Sequence, residues 1–277
     1  MGFKPKHCAL PIFTKISTFC SKHENKNPEI DIIMPNHNKG QFLEETINSV
    51  ITQTYKNWHL YIIDDNSNDN SVLIISKFSN LRNITVIKLH KNMGPAFCRN
   101  FGMRISQSKY IAFIDSDDSW SNDKLEKQIC FMKKNNFNFT YTDYTPFSEV
   151  YGKKKFKKKT NVKKYFDYES FMKNSSINTT TMIIARSILQ NHKFKKVKMH
   201  EDYLFKCEIL KNNNTANKLD EDTAFYRILN KSRSRRKLQG IYWLWYINKH
   251  FNKVSFIKNL ILVIFIIINS IKKYGIK

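Results

Sequence analysis

The sequence predicts an α/β fold built on a mainly parallel sheet with helices on both faces. Two observations carry that prediction. Between residue 30 and about residue 141, short apolar runs alternate with segments of helical period, and the acidic residues gather where the apolar runs stop. Alternating strands and helices imply a parallel sheet covered on both sides. Such sheets take ligands at the carboxyl ends of their strands.

The elements follow in order. Residues 30–34 form an apolar run stopped by Pro35, read as a buried strand, and Leu43, Ile47, Val50 and Ile51 then recur at helical spacing. Residues 60–63 form a second strand that ends in Asp64-Asp65-Asn66-Ser67, and 72–78 supports a helix. A strand at 84–89 leads to a helix at 95–106, opened by Gly94-Pro95, where a proline needs no backbone N–H. A strand at 110–114, a helix at 123–134 and a strand from 139 complete the regular part. The rhythm fails after Tyr144. A lysine-rich excursion at 153–164 precedes a helix at 168–173, a strand at 180–185, a helix at 201–211 and a strand at 224–227. The expected division is a basic arm at 1–28, a regular half at 29–145, a less regular half at 146–235 and an aromatic, apolar helical tail at 236–277.

Composition narrows the function. The 277 residues carry 47 Lys and Arg against 23 Asp and Glu, a net charge of +24, which implies a polyanionic neighbour. Five cysteines without a CxxC pair suit a reduced, cytoplasmic protein, and no secretory signal is recognisable in residues 10–19. Residues 260–268 are unbroken apolar, short of the roughly 20 needed to span a bilayer. With Lys272, Lys273 and the aromatic cluster Tyr242, Trp243, Trp245 and Tyr246, they read as a segment lying in an anionic membrane surface. A last apolar helix packed on the domain is the other reading.

Three acidic clusters carry the chemistry. At Asp64-Asp65, one carboxylate can cap the following helix while the other enters the crevice. Asp115-Ser116-Asp117-Asp118 sets three carboxylates within four residues, a repulsion relieved by a hard divalent cation. Mg²⁺ or Mn²⁺ takes few carboxylates plus phosphate oxygens and water, which is what an Asp-x-Asp turn offers a nucleoside diphosphate. Glu201-Asp202 opens a helix, where the dipole alone would favour acids.

Taken in order, these residues resemble the inverting family 2 glycosyltransferases of the GT-A fold. The resemblance rests on Pro35-Asn36-His37-Asn38, Gln53-Thr54-Tyr55 before Trp58, and Asp64-Asp65-Asn66-Ser67 with Asp69. It continues through Asn92-Met93-Gly94, Cys98-Arg99-Asn100-Phe101-Gly102, Asp115-Ser116-Asp117-Asp118, Trp120 and Lys124-Leu125. It implies that Asp65 contacts the nucleobase beside Pro35 and His37, where His37 replaces the Tyr common in the family. It further implies that Asp115 approaches the ribose, that Asp117 holds Mn²⁺ or Mg²⁺, and that Asp202 is the catalytic base. Arg99 holds the nucleotide or braces the loop. Tyr226-Arg227 with Ser232 and Ser234 resembles a late segment that closes over the donor.

The resemblance therefore implies a metal-dependent, hexosyltransferase-type enzyme that moves a sugar from a nucleoside-diphosphate sugar, taken to be a UDP-sugar. The implied acceptor is a glycan or lipid-linked hydroxyl at the inner face of the cytoplasmic membrane, in lipopolysaccharide or capsule biosynthesis. Nucleic acid is not an expected partner, because the acidic clusters would repel phosphates without a metal and no nucleic-acid module matches. A sugar nucleotidyltransferase would need a glycine-rich phosphate loop, and residues 35–40 offer only Gly40.

Overall fold

The computed structural model describes residues 28–189, 192–229 and 237–274. The basic arm, apart from Pro28, lies outside these residues, as do Cys8, Cys20, Ser232 and Ser234. The chain opens with strand β1 (Ile30–Asn36), helix α1 (Gly40–Ile51), β2 (Trp58–Asp64), α2 (Ser71–Ser76), β3 (Ile84–Lys88), α3 (Pro95–Ile105) and β4 (Tyr110–Phe113). Each expected strand and helix of this stretch is present. β1 pairs in parallel with β2 on one side and β4 on the other, and β3 extends the sheet in parallel beyond β2. The exits of β1, β2 and β4 therefore lie side by side.

The sheet continues through β5 (Ser119–Trp120), α4 (Lys124–Asn135), β6 (Phe139–Val150), β7 (Lys153–Phe156), β8 (Tyr165–Phe166) and α5 (Tyr168–Asn174). A 3₁₀ turn (Thr179–Thr181), β9 (Ile183–Ala185), α6 (Arg186–Leu189), α7 (Glu201–Lys211) and β10 (Ala216–Arg227) follow. The strand order is β3-β2-β1-β4-β9-β6-β10-β5. β9 runs antiparallel to both β4 and β6, while β10 pairs in parallel with β6, so the full sheet is mixed. The strand expected at 180–185 divides into the 3₁₀ turn and β9, which frees the threonines at its start for other contacts. β6 crosses the expected division at 145, so both halves share one sheet.

Period-two alternation splits the core. Ile30, Ile32 and Met34 of β1 pack with Leu43, Ile47 and Val50 of α1 and with Leu125, Ile129 and Met132 of α4. On the opposite face, Ile33, Ile111 and Phe113 pack with Phe101 of α3 and with Tyr203, Leu204 and Cys207 of α7. Cys98, Cys130 and Cys207 are free thiols.

The chain ends in α8 (Lys237–His250) and α9 (Phe256–Tyr274). Leu262, Val263 and Ile266 of α9 are buried, and Lys258 pairs with Glu169 of α5 at 2.9 Å. Ile257, Leu260, Ile261, Ile264, Phe265 and Ile268 recur at helical spacing and are exposed. Thus α9 packs on the domain by one face and presents a second apolar face outward. Among the described residues no helix is long and apolar enough to cross a membrane.

Candidate active site

The first wall of the site is the pair of turns leaving β1 and β2. Asp64 is internal: it accepts hydrogen bonds from Asn36 Nδ2 at 2.8 Å, the Ser67 hydroxyl at 2.6 Å and the Ser67 N–H at 3.2 Å. This satisfied carboxylate welds the two turns together. Asp69 does the same for the start of α1, accepting from the Gly40 N–H at 2.9 Å. Gly40 is required there, since a Cβ would come within 1.8 Å of the Asn70 side chain.

Asp65, its neighbour, accepts from the Met93 N–H at 2.6 Å and the Gly94 N–H at 2.8 Å. Gly94 adopts a φ of 87°, which suits glycine and lets both amides converge on one carboxylate. The Cys98 thiol is a third hydrogen-bond partner, and since a carboxylate offers about four acceptor sites, one remains for a ligand. Pro35, the penultimate residue of β1, lies opposite Ile63. His37 lies beside Asp65, with Nδ1 2.8 Å from the Asp65 carbonyl and Nε2 3.0 Å from the Asn92 amide nitrogen. A carbonyl only accepts, so Nδ1 carries the proton and Nε2 accepts from Asn92. The ring is exposed and fixed in orientation.

The second wall is the turn after β4. Asp115 is ion-paired with Arg99 at 2.7 Å, and Asp117 with Lys39 at 2.6 Å. Burial pushes the Asp117 carboxyl up, Lys39 pulls it back, and the charge of Asp115 raises it further. Asp118 is fully buried and raised well above the usual carboxylate range, first by burial and then by Asp117 and Asp115. It accepts from the Thr180 hydroxyl at 2.6 Å and the Arg227 N–H at 3.0 Å, and so serves as the anchor of the turn. Among the described residues, no group of three or more His, Cys, Asp or Glu side chains is placed to hold a metal. The residues nevertheless fit Mg²⁺ or Mn²⁺ of the kind completed by substrate. Asp117, with Asp115 acting on it electrostatically, offers the one or two carboxylates such an ion uses alongside phosphate oxygens and water. The Lys39 ammonium against Asp117 shows that the position attracts a cation.

The third wall is the start of α7. Asp202 accepts from Lys206 Nζ at 2.8 Å and the Thr179 hydroxyl at 3.2 Å. Burial would raise this carboxyl, but Lys206, His200 and Arg99 together hold it well below the usual range. Glu201 lies 3.5 Å from Arg99, so the buried guanidinium bridges Asp115 and α7. Of the two roles open for Arg99, bracing is the one its contacts display.

The 3₁₀ turn joins the second and third walls. Thr179 donates to Asp202 while its neighbour Thr180 donates to Asp118. Trp120 and Lys124 hold that turn, through Trp120 Nε1 to the Thr180 carbonyl at 2.9 Å and Lys124 Nζ to the Thr181 carbonyl at 3.3 Å. Burial lowers the Lys124 ammonium to about 7. Gln53 ties the end of α1 to the same region through the Ser121 carbonyl and the Leu125 N–H. Arg227 does not stand over the crevice as an open side chain. It is buried between Phe42 and Phe147, bonded to Glu45, Glu149 and the Asp117 carbonyl.

Sequence reasoning missed Lys39, Thr179, Thr180 and Lys206. Only Lys206 left a signal, its spacing of four residues from Asp202 on one helix face.

A family profile described as Glycosyl transferase family 2 matches residues 31–193, more than half of the chain. The chain belongs to this family. It is a glycosyltransferase, and its mixed α/β sheet is of the GT-A type. It is 29% identical to a putative teichuronic acid biosynthesis glycosyltransferase, TuaG, of Bacillus subtilis, over 84% of this chain and 92% of the relative. It is 34% identical to an Escherichia coli UDP-Glc:alpha-D-GlcNAc-diphosphoundecaprenol beta-1,3-glucosyltransferase, WfgD, over 78% of this chain and 83% of the relative. In fold it resembles residues 1–349 of S. aureus TarS in complex with UDP-GlcNAc. The TM-score is 0.66 at 17% identity, covering 88% of this glycosyltransferase and 73% of that chain.

Proposed function

We propose that this glycosyltransferase moves a hexose from a UDP-sugar, with inversion, to a hydroxyl of a lipid-linked glycan during assembly of a bacterial surface polymer such as lipopolysaccharide or capsule. The observation that carries the proposal is the pair of adjacent hydroxyls, Thr179 and Thr180. They fasten a carboxylate at the start of α7 beside the carboxylate turn leaving β4. In this reading a donor-diphosphate subsite and a proton acceptor share one crevice. The relative WfgD, named for UDP-Glc and a diphosphoundecaprenol-linked acceptor, supports the donor and acceptor classes.

In this reading Asp65 and His37, with Pro35, receive the base, and Asp115, braced by Arg99, the ribose. Asp117 holds Mn²⁺ or Mg²⁺, which when bound supplies positive charge to the leaving diphosphate. Lys39, already at Asp117, adds a second positive charge at the same place. Asp202 is ionised at neutral pH because its carboxyl is held low, so it takes the proton of the acceptor hydroxyl as that oxygen attacks the anomeric carbon. Attack from the face opposite the departing diphosphate inverts the configuration.

The same proposal places the protein peripherally at the inner face of the cytoplasmic membrane. Support comes from the net charge of +24 and the outward apolar face of α9, a combination suited to an anionic bilayer surface.

Incubation with UDP-glucose or UDP-GlcNAc, Mn²⁺ and a sugar-diphosphate-lipid acceptor tests the reading. UDP release coupled to a lengthened acceptor is expected, and Asp202→Asn lowers the transfer rate about 10²- to 10⁴-fold while retaining UDP binding. Pyrophosphate release, or full transfer by Asp202→Asn, overturns it.

A further inference from the structure

Lys206 is a buried cation that the family resemblance leaves without a role. Its side chain is 1% exposed, a rare state for lysine unless its charge is compensated. The ammonium meets three acceptors: the Ile177 carbonyl at 2.7 Å, the Thr179 hydroxyl at 3.0 Å and Asp202 Oδ2 at 2.8 Å. Its three donors are thereby used. Two of these acceptors belong to the segment leading into and starting the 3₁₀ turn; the third lies one turn earlier on Lys206's own helix. A side chain of the buried face thus crosses from α7 to that turn and grips the carboxylate between them.

The other charges near Asp202 are committed elsewhere. Arg99, from α3, is shared between Asp115 and Glu201. His200, just before α7, directs Nε2 to the Gly240 carbonyl of α8 at 3.1 Å. Glu201, on the same helix, is acidic and lies against Arg99. Among the described ion pairs, Lys206 is the cation that touches Asp202 directly.

We propose that Lys206 is the positioning residue of the transfer reaction, holding the Asp202 carboxylate ionised and aimed by a rigid three-point anchorage to the turn at 177–179. The inference rests on the reading of Asp202 as the base. It gives a physical reason why a carboxylate whose side chain is 36% exposed keeps one orientation and stays deprotonated: the nearest cation loses one of its three bonds if Asp202 takes a proton and turns away. After transfer, the proton gained by Asp202 is released readily to solvent, because the same ammonium disfavours the neutral acid. One side chain thus sets both the geometry and the resetting of the base.

The test is the pH dependence of kcat/KM for transfer from UDP-glucose or UDP-GlcNAc, whichever is used, to the sugar-diphosphate-lipid acceptor. It compares the unaltered protein with Lys206→Met, Lys206→Arg and Thr179→Val. Removing the cation raises the carboxyl, so the acid limb of the profile moves to higher pH. In Lys206→Met it is expected at or above about pH 4, the ordinary aspartate value, and at least one pH unit above its position in the unaltered protein. Activity recovers on the alkaline side, and the KM for the donor stays within twofold. Lys206→Arg returns the limb most of the way.

Thr179→Val, which removes a hydroxyl without stranding a charge, shifts the limb in the same direction by less, and it decides the matter if Lys206→Met does not fold. A loss of rate that is uniform across pH, or an unmoved acid limb, overturns the proposal. Failure of the reading beneath it is distinguishable, because Asp202→Asn would then transfer sugar normally whatever the Lys206 variants do.

Discussion

The two acidic regions of the crevice are built from the same residue type and are held in opposite electrostatic states. At the turn after β4, Asp117 is raised by burial and by Asp115, and Asp118 by burial, Asp117 and Asp115. At the start of α7, Asp202 is lowered because Lys206, His200 and Arg99 outweigh its burial. Both regions meet cations, but at the turn the three carboxylates share Lys39 and Arg99, whereas Asp202 has Lys206 at 2.8 Å to itself. A cluster short of cations is a place for a substrate-borne ion and its phosphates. Under the proposed function, a carboxylate with its own cation is a base ready before substrate arrives.

The largest test of this contrast is Asp117→Asn. Under the proposed function it lowers Mn²⁺-dependent transfer about a thousandfold, the rate equivalent of roughly 4 kcal/mol. Calorimetry of UDP binding with Mn²⁺ shows the loss directly, while the pH profile set by Asp202 is unchanged. A smaller effect is expected at the link between the regions. Thr180→Val removes the hydroxyl bonded to Asp118, leaving a buried carboxylate one donor short, and lowers stability by about 1–3 kcal/mol in denaturant unfolding. Thr179→Val on the other side of the link acts on the pH profile instead, so the neighbouring hydroxyls should separate by readout. The smallest effect belongs to Lys39→Met. The pair with Asp117 is partly exposed and worth up to about 1 kcal/mol, so its loss tightens binding of Mn²⁺ alone by about fivefold or less. Tighter Mn²⁺ binding together with weaker UDP binding would sharpen the contrast; unchanged binding of both would erase Lys39 from it.

The regular half was legible because its signals are local. The apolar runs at 30–34, 60–63 and 110–114, the helical spacing of Leu43, Ile47 and Val50, and the opening Gly94-Pro95 each specify an element within a few residues. The position of Asp65 and Asp117 at strand exits follows from that. Less legible was the second half. The segment at 180–185 has the β-branched composition of one strand, yet its first threonines, with Thr179 before them, form a 3₁₀ turn whose hydroxyls and carbonyls are claimed by Asp202, Asp118, Trp120 and Lys124. Arg227 belongs to the segment that resembles one closing over the donor; its burial depends on Glu45 and Glu149, 182 and 78 residues away in sequence.

By itself the sequence determined the parallel first half, the placing of carboxylates at its strand ends and the family. Those depend on periodicity and on short motifs that survive in one dimension. Only the tertiary structure decided which of those carboxylates are satisfied anchors, as Asp64 and Asp118 are, and which partners the others meet. Lys39 reaches Asp117 across 78 residues, and Thr179 reaches Asp202 across 23. The charge state of a carboxylate is set by neighbours within a few ångströms in space, and chain order does not carry that distance.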